Sequence, residues 1–507
     1  MTNLIFILYQ VIVIIAVIHV IMDNRQPAKT MAWALVIYFI PVAGVLAYIF
    51  LGVNTRRERY VSKRSMDQLT RRSLLEFAGQ PDLVLPEQHR NVIDMFAKQS
   101  YSLPFGDNKA ELFKNGYEFF PALLRDIAAA QSHIHIDIYI FEDDPLGKLV
   151  SDALIARSKK GVEVRVVYDD VGCWSVKKEF FERMREAGVE IEPFMPVRFP
   201  KFTSKANYRN HRKLIVIDGR IGYMGGMNIA LRYVKGGQWK EERGKKEQMG
   251  WRDTMVRIEG RGVCTLQQAF LIDWYFVDRT LLSDRKYYPS TLNPQLSTLN
   301  PQLSTLNPQP STLNPQPSTL NPQPSTILQT VTCGPASPYP EIMQGFLSIL
   351  LSARQYVYIE TPYFLPTTAI LLALKMASAT GVDVRLLVPL HSDAWLTQWA
   401  SRSYLREVAE AGVKVYFHGA GFLHSKIMVA DDSVSTCGST NIDFRSFENN
   451  FEANTFFYGQ DVAVRMRKMF LTDQQHSVSW SDMGSRRNPR FQVRLWESIT
   501  RLLSPLL

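Results

Sequence analysis

Cysteine is scarce in this 507-residue chain: Cys173, Cys264, Cys333 and Cys437 are scattered, with no C-x-x-C spacing. That scarcity excludes a disulfide framework and a cysteine zinc knot, and it fits a reducing compartment. The features of a cleaved leader are missing as well. No Lys or Arg precedes the first apolar run, no small-residue cleavage site follows it, and a second apolar run begins within ten residues. A secretory signal peptide is therefore not expected. Charged residues make up only 21% of the chain against 46% hydrophobic, which is globular rather than disordered, and the length allows two sizeable cores.

The N-terminus does carry two apolar runs, 4–22 and 31–51. Each is near the ~20 residues that cross a bilayer, so together they predict a transmembrane helical hairpin. Arg56, Arg57, Arg59, Lys63, Arg64, Arg71 and Arg72 follow the second run, against Arg25 and Lys29 in the connecting loop. The positive-inside tendency then predicts a multi-pass protein of the inner (cytoplasmic) membrane, with everything after the hairpin on the cytoplasmic side. A net charge of +10 suits either nucleic acid or an anionic membrane. A basic cluster beside a span favours the lipid surface.

One short pattern occurs twice. His211, Lys213 and Asp218 are followed by Gly225-Gly226 and Asn228; His424, Lys426 and Asp431 are followed by Gly438-Ser439 and Asn441. Both copies read H-x-K-x4-D-x6-G-[GS]-x-N. On a strand, residues i and i+2 share a face, so the imidazole and the ammonium stand side by side. Such a group suits a phosphate: cation and amide hold its oxygens, while a neutral imidazole attacks phosphorus or moves a proton.

The halves around these motifs also repeat. Gly161-Val162-Glu163-Val164-Arg165 matches Gly381-Val382-Asp383-Val384-Arg385, and Ala187-Gly188-Val189 matches Ala411-Gly412-Val413. Each half reads strand, helix, strand, helix, strand and then the motif strand, an α/β plan with a largely parallel sheet. If two such lobes pack face to face, the histidines meet at their seam. Between them, residues 290–324 are five copies of Ser-Thr-Leu-Asn-Pro-Gln-[Leu/Pro], whose regular Pro forbids helix and predicts a passive extended linker. The expected organisation is two transmembrane helices over 1–55, a basic connector over 56–110, a first lobe over 111–289, the repeat linker over 290–326 and a second lobe over 327–507.

The paired motif resembles the HKD signature of the phospholipase D superfamily. The stretch from Gly438 to Glu452, with Ile359-Glu360-Thr361-Pro362-Tyr363-Phe364-Leu365-Pro366, resembles bacterial cardiolipin synthases more narrowly. The resemblance implies two pseudo-symmetric phospholipase D-like lobes and transfer of a phosphatidyl group between two phosphatidylglycerol molecules, giving cardiolipin and glycerol. It makes His211 the nucleophile and His424 the acid and base, with no metal and no cofactor. Lys213, Lys426, Asn228 and Asn441 would hold the phosphate oxygens. Asp253 and Glu452 would be the carboxylates that set the imidazole tautomers. Asp218 and Asp431 complete the motifs as catalytic residues or as strand-end ordering groups. Gly226 stands where the other copy has Ser439, so a hydroxyl contact is expected in one half only.

The expected partners are phosphatidylglycerol and an anionic phospholipid membrane, not nucleic acid, because no aromatic and basic stripe for stacking single strands is evident. A phospholipase D or phosphatidylserine synthase differs only in the acceptor alcohol, and a nuclease of the superfamily or an inactive lipid-binding scaffold fits less well. His133 and His135 share a strand face without a third ligand and are expected in the core. Trp174, Phe194, Phe199, Phe202 and Tyr208, interleaved with Arg198, Lys201 and Lys205, form either a lipid-facing lip or a loop packed on its lobe.

Overall fold

The computed structural model describes residues 2–22, 27–48, 61–80, 82–197, 207–235, 238–242, 245–288, 326–484 and 489–506. The repeat over 290–324, the arginines at 56, 57 and 59, and the lip residues from Arg198 to Lys205 lie outside them.

Both halves follow one path. In the first, strands His133–Ile138, Glu163–Asp169 and Glu190–Phe194 run parallel, linked by helices Pro145–Ser158 and Lys178–Glu186. In the second, Tyr356–Glu360, Asp383–Pro389 and Lys414–His418 do the same through helices Thr368–Ala379 and Trp395–Glu410. Parallel strands covered on both faces read as apolar runs, and Val164, Val166, Val384 and Leu386 are all fully or almost fully buried. Asp144 and Thr367 cap corresponding helices by accepting from Gly147 N and Ile370 N. Gly161 and Gly381 then turn the chain from helix to strand at φ of 86° and 90°, a region that disfavours any side chain.

The sheet is mixed rather than largely parallel. Motif strands Lys213–Ile217 and Ile427–Ala430 enter antiparallel to the first strand of their half, and each folds back through a tight turn onto Ile221–Gly225 or Val434–Gly438. Met255–Gly260 and Asn450–Tyr458 then pair antiparallel with those returning strands. The two halves meet along a seam where Val434–Gly438 of the second approaches Ile221–Gly225 of the first. Phe105–Phe113 pairs antiparallel with Thr326–Cys333, fusing both halves edge to edge into one 16-stranded sheet. Helices Val263–Asp278 and Gln460–Gln475 contribute to one apolar core drawn from both halves, with Trp274 and Phe470 buried in it.

His133 and His135 are wholly buried; one Gln267 side chain bonds both rings, and Phe270 stacks on His135 at 4.3 Å. Phe194 and Tyr208 are core residues, whereas Trp174 is 61% exposed.

The N-terminal runs form helices Thr2–Met22, Pro27–Phe39 and Pro41–Ala47, sharing a small cluster of Val13, Val20, Trp33, Ile37 and Tyr48. The second run is interrupted: Ile40 leaves the helical region (φ −130°, ψ 67°) and Pro41 opens a new short helix. Among the described residues no helix is long and apolar enough to cross a membrane.

Candidate active site

Two crossed strand pairings bring the motifs together. Arg209–Asn210 of the first half pairs parallel with the start of Asn450–Tyr458 in the second, and His211 N donates to Phe451 O at 2.9 Å. Reciprocally, Gly421–Leu423 of the second half pairs parallel with Lys245–Arg252 of the first, and His424 N donates to Arg252 O at 2.7 Å. Each histidine is thus held to the opposite half by its own backbone N–H.

The next residue on each partner strand is a carboxylate, so the carboxylates cross as well. His211 Nδ1 lies 3.0 and 3.1 Å from the two Glu452 oxygens, and His424 Nδ1 lies 2.7 Å from Asp253 Oδ2. Both acids are almost wholly buried. Burial pushes His211 down to about 4 against the upward pull of Glu452, and burial together with Lys426 pushes His424 down to about 4. Burial alone would raise the two acids. Lys426 and His424 overcome it for Asp253, and His211 and Lys213 overcome it for Glu452, leaving both below their ordinary values. At neutral pH each imidazole is therefore neutral beside an ionised acid. Its Nδ1–H donates to the carboxylate and leaves Nε2 a lone pair.

The lysines are buried beneath the rings. Lys213 Nζ donates to His211 O at 2.6 Å, and Lys426 Nζ donates to His424 O and lies 3.1 Å from His424 Nδ1. Burial, opposed by Glu452 and reinforced by Lys426, brings Lys213 down to about 7; burial lowers Lys426 as well. Asn228 accepts from Ile140 N at 3.0 Å and donates to the Tyr233 hydroxyl, while Asn441 Oδ1 is buried in the cleft wall without a hydrogen-bond partner among the described residues.

The Gly226/Ser439 difference has a steric cause. Ser439 Oγ donates to Glu452. A Cβ on Gly226 would lie 2.1 Å from Asp253 Oδ1, so in that half the carboxylate itself occupies the space of a side chain.

Asp218 and Asp431 are not beside the imidazoles. They lie at the far ends of the motif strands, which have five and four residues and so run roughly 13–16 Å. Asp218 accepts from the backbone N–H groups of Gln131, Ser132 and His133, and Asp431 from those of Arg354, Gln355 and Tyr356. Each pins the motif turn to the start of the neighbouring strand, at φ of 53° and 51°. Both carboxylates thus order the motif turns, away from the imidazoles.

His211 and His424 line one cleft of about 510 Å³, together with Asn228 and Asn441. The Tyr139 ring sits 5.0 Å from His211 and the Trp251 ring 5.4 Å from His424. Three further cations on the wall, Arg209, Arg232 and Arg445, were not singled out by the sequence reading. Arg209 faces Asp169, Arg232 pairs with Glu142, and Arg445 Nη1 donates to Asn207 at 2.8 Å. Nothing marks a lone arginine in a sequence, although Arg209 stands only two residues before His211. With two neutral imidazoles and several cations around it, the cleft can take a phosphodiester and hand a group from one side to the other.

The model of the cardiolipin synthase, PLD-like domain matches residues 123–240 and 346–474, and that of the phospholipase D-nuclease N-terminal region matches 11–52. The chain is 36% identical over 493 residues to a cardiolipin synthase of Geobacillus sp. (strain WCH70), covering 96% of this chain and 90% of the relative. It is 32% identical over 507 residues to the major cardiolipin synthase of Bacillus subtilis (strain 168), covering 98% and 97%. The phosphatidylserine synthase of Haemophilus influenzae Rd KW20 shares the fold, with a TM-score of 0.57 at 14% identity over 83% of this chain and all of that one. Likeness at this level, running through both lobes and the N-terminal region alike, means that the chain belongs to the cardiolipin synthase family of phospholipase D-like proteins.

Proposed function

We infer that the chain makes cardiolipin by moving a phosphatidyl group from one phosphatidylglycerol to another through a phosphohistidine on His211. The observation that carries this reading is the pair of crossed imidazole–carboxylate couples on one cleft. In the first step His211 Nε2 attacks phosphorus, the bond to the glycerol oxygen breaks, and His424 Nε2 gives that oxygen its proton. His424 is neutral by itself, and an entering phosphodiester anion raises its affinity for a proton, so that Nε2 takes one up from water with the substrate before giving it to the leaving oxygen. In the second step the terminal hydroxyl of another phosphatidylglycerol loses its proton to His424, its oxygen attacks phosphorus, and the P–N bond breaks. Lys213, Lys426, Asn228 and Asn441 support the nonbridging oxygens; Glu452 and Asp253 hold the tautomers and stabilise each imidazolium.

The same reading makes the enzyme a multi-pass protein of the cytoplasmic membrane, with its cleft on the cytoplasmic side and an anionic lipid surface as its partner. The match over 11–52 and the exposure of Ile14, Ile15, Ile18 and Ile21 support an apolar setting for the N-terminal helices.

The test is His424→Asn and His211→Asn in full-length protein given labelled phosphatidylglycerol. Both should lose cardiolipin formation, and only His424→Asn should accumulate labelled phosphoenzyme. Label trapped on the His211→Asn protein instead would reverse the assignment, and near-normal turnover by either would refute the shared cleft.

A further inference from the structure

The C-terminal helix Phe491–Leu502 is amphipathic in the wrong sense for water. Its polar side faces the protein: Glu497 is buried and accepts from Arg406 at 2.6 Å, and Arg501 donates to Glu407 and Ser403 of the same neighbouring helix, Trp395–Glu410. Its apolar side faces out. Phe491 is 79% exposed and Leu502 62%, with Leu495, Trp496 and Ile499 exposed between them. Positions 491, 495, 499 and 502 form one stripe at helical spacing. Single exposed apolar residues are ordinary; a stripe of this length beside an inward-turned ion-pair face is not.

Its location joins the active site to the N-terminus. The neighbouring helix begins at Trp395, next to Asp393 and Ala394 of the catalytic cleft, and the exposed Trp395 ring stands 6.1 Å from that of Trp496. The chain then ends in the short turn Ser504–Leu506, which packs both on Phe444–Glu448, the segment carrying Arg445 of the cleft, and on the apolar helix Pro27–Phe39. Through this turn the outward stripe is tied to the exposed apolar N-terminal helices, and the exposed Arg490 and Arg494 belong to the same segment as the stripe. Two Trp rings at a border, apolar residues on one side and arginines at the edge are what a bilayer interface selects.

We propose that the outward face of Phe491–Leu502, with Trp395, lies in the interfacial layer of an anionic bilayer and sets the mouth of the cleft against the lipid headgroups. This rests on the membrane reading above and names the part of the catalytic body that touches the lipid. Substrate would then enter sideways from the layer in which it is dissolved, without passing through water.

The four native cysteines are buried, so a cysteine introduced by Ile499→Cys in the full-length protein can be labelled selectively with an environment-sensitive fluorophore, with Glu186→Cys as the exposed control. Reconstituted into vesicles of equal phosphatidylglycerol and phosphatidylcholine, the label at 499 should shift to the blue and be quenched by nitroxide lipids, while the control is not. A label at 499 that stays as wet as the control in protein that floats with vesicles overturns the proposal. So does a blue shift without lipid that grows with protein concentration, which would mean that a second copy covers the face. As a second readout, Leu495→Glu/Ile499→Glu should raise KM for vesicular phosphatidylglycerol at least fivefold and leave kcat on dispersed short-chain substrate within twofold. Unchanged KM on vesicles counts against the proposal, and if the double variant is inactive on both substrates, the labelling result alone decides. Wild-type protein without cardiolipin synthesis would refute the enzymatic reading and leave the labelling result standing.

Discussion

Exchanging Glu452 for Gln tests the crossed couple most directly, because it removes one charge and almost no volume. In the native site the carboxylate receives Nδ1–H of His211, the Ser439 hydroxyl and, at 3.1 Å, the Asn450 amide. All of these are donors. A carboxamide keeps only one acceptor oxygen, so its NH2 must face a donor or His211 must turn over its proton. If His211 accepts at Nδ1, its proton moves to Nε2 and the lone pair that attacks phosphorus is gone. A hydrogen bond to a charged group contributes about 1.5–3 kcal/mol. At roughly 1.4 kcal/mol per tenfold in rate, its loss alone gives about ten- to a hundredfold. The wrong tautomer adds to this; in the serine-protease triad the carboxylate-to-amide change reaches about 10⁴-fold. Glu452→Gln should therefore lower kcat by 10²- to 10⁴-fold while KM for phosphatidylglycerol moves little, as Glu452 does not line the cleft. The assay is release of labelled glycerol and formation of cardiolipin in mixed micelles, with circular dichroism to verify folding. A folded variant whose kcat stays within fivefold of wild type would refute the proposed role of the couple.

Gly226→Ala should cut activity at least a hundredfold with little loss of protein, because its methyl would displace the Asp253 carboxylate from His424; normal turnover would show that the carboxylate can move at no cost. His211 and His424 bind protons at about 4 in the fold against 6.5 outside it, so the folded state holds fewer protons in that window and stability rises with pH from about 4 to 6.5. Each neutral ring forfeits on the order of 3 kcal/mol by the time pH has fallen below 4. Denaturant midpoints at pH 5 and 7.5 should differ less in His211→Asn than in wild type, and equal differences would remove the ring from the account. EDTA should leave turnover in zwitterionic detergent unchanged, since lysines and asparagines are assigned to the phosphate; loss reversed by one specific divalent ion would contradict that. Deleting 290–324 should change turnover less than tenfold, because loop-closure cost grows only with the logarithm of length.

The motif made both imidazoles and their lysines legible, because local spacing on a strand fixes which side chains share a face, whereas Asp253 and Glu452 came only from the resemblance to a known family. The pairing of Glu452 with His211, and of Asp253 with His424, was not legible. It depends on the parallel registers Asn450↔Arg209 and Leu423↔Arg252, which join residues more than 170 positions apart. Asp218 and Asp431 were ambiguous for a related reason: the sequence shows that they end a strand, and only the neighbouring strand reveals what they hold. The duplication gives two units but says nothing of which edges join, so the pairing of Phe105–Phe113 with Thr326–Cys333 could not be read from it. The interruption at Ile40 had a readable cause in Pro41, which the high hydropathy of the run outweighed.

The crossed carboxylates bear on how such a chain can change over generations. Neither lobe owns a complete couple, so a substitution that shifts the tip of Asn450–Tyr458 is felt at His211, in the other lobe. The halves are bound to vary together there, although their outer helices can drift apart. A chimera joining the first half of one relative to the second half of another should fail wherever the segments 209–211 and 450–452, or 250–253 and 421–424, come from mismatched parents, and should recover when each pair is exchanged as a unit. An ancestor with a single lobe would have needed a second copy of itself, each lending its acid to the other's imidazole.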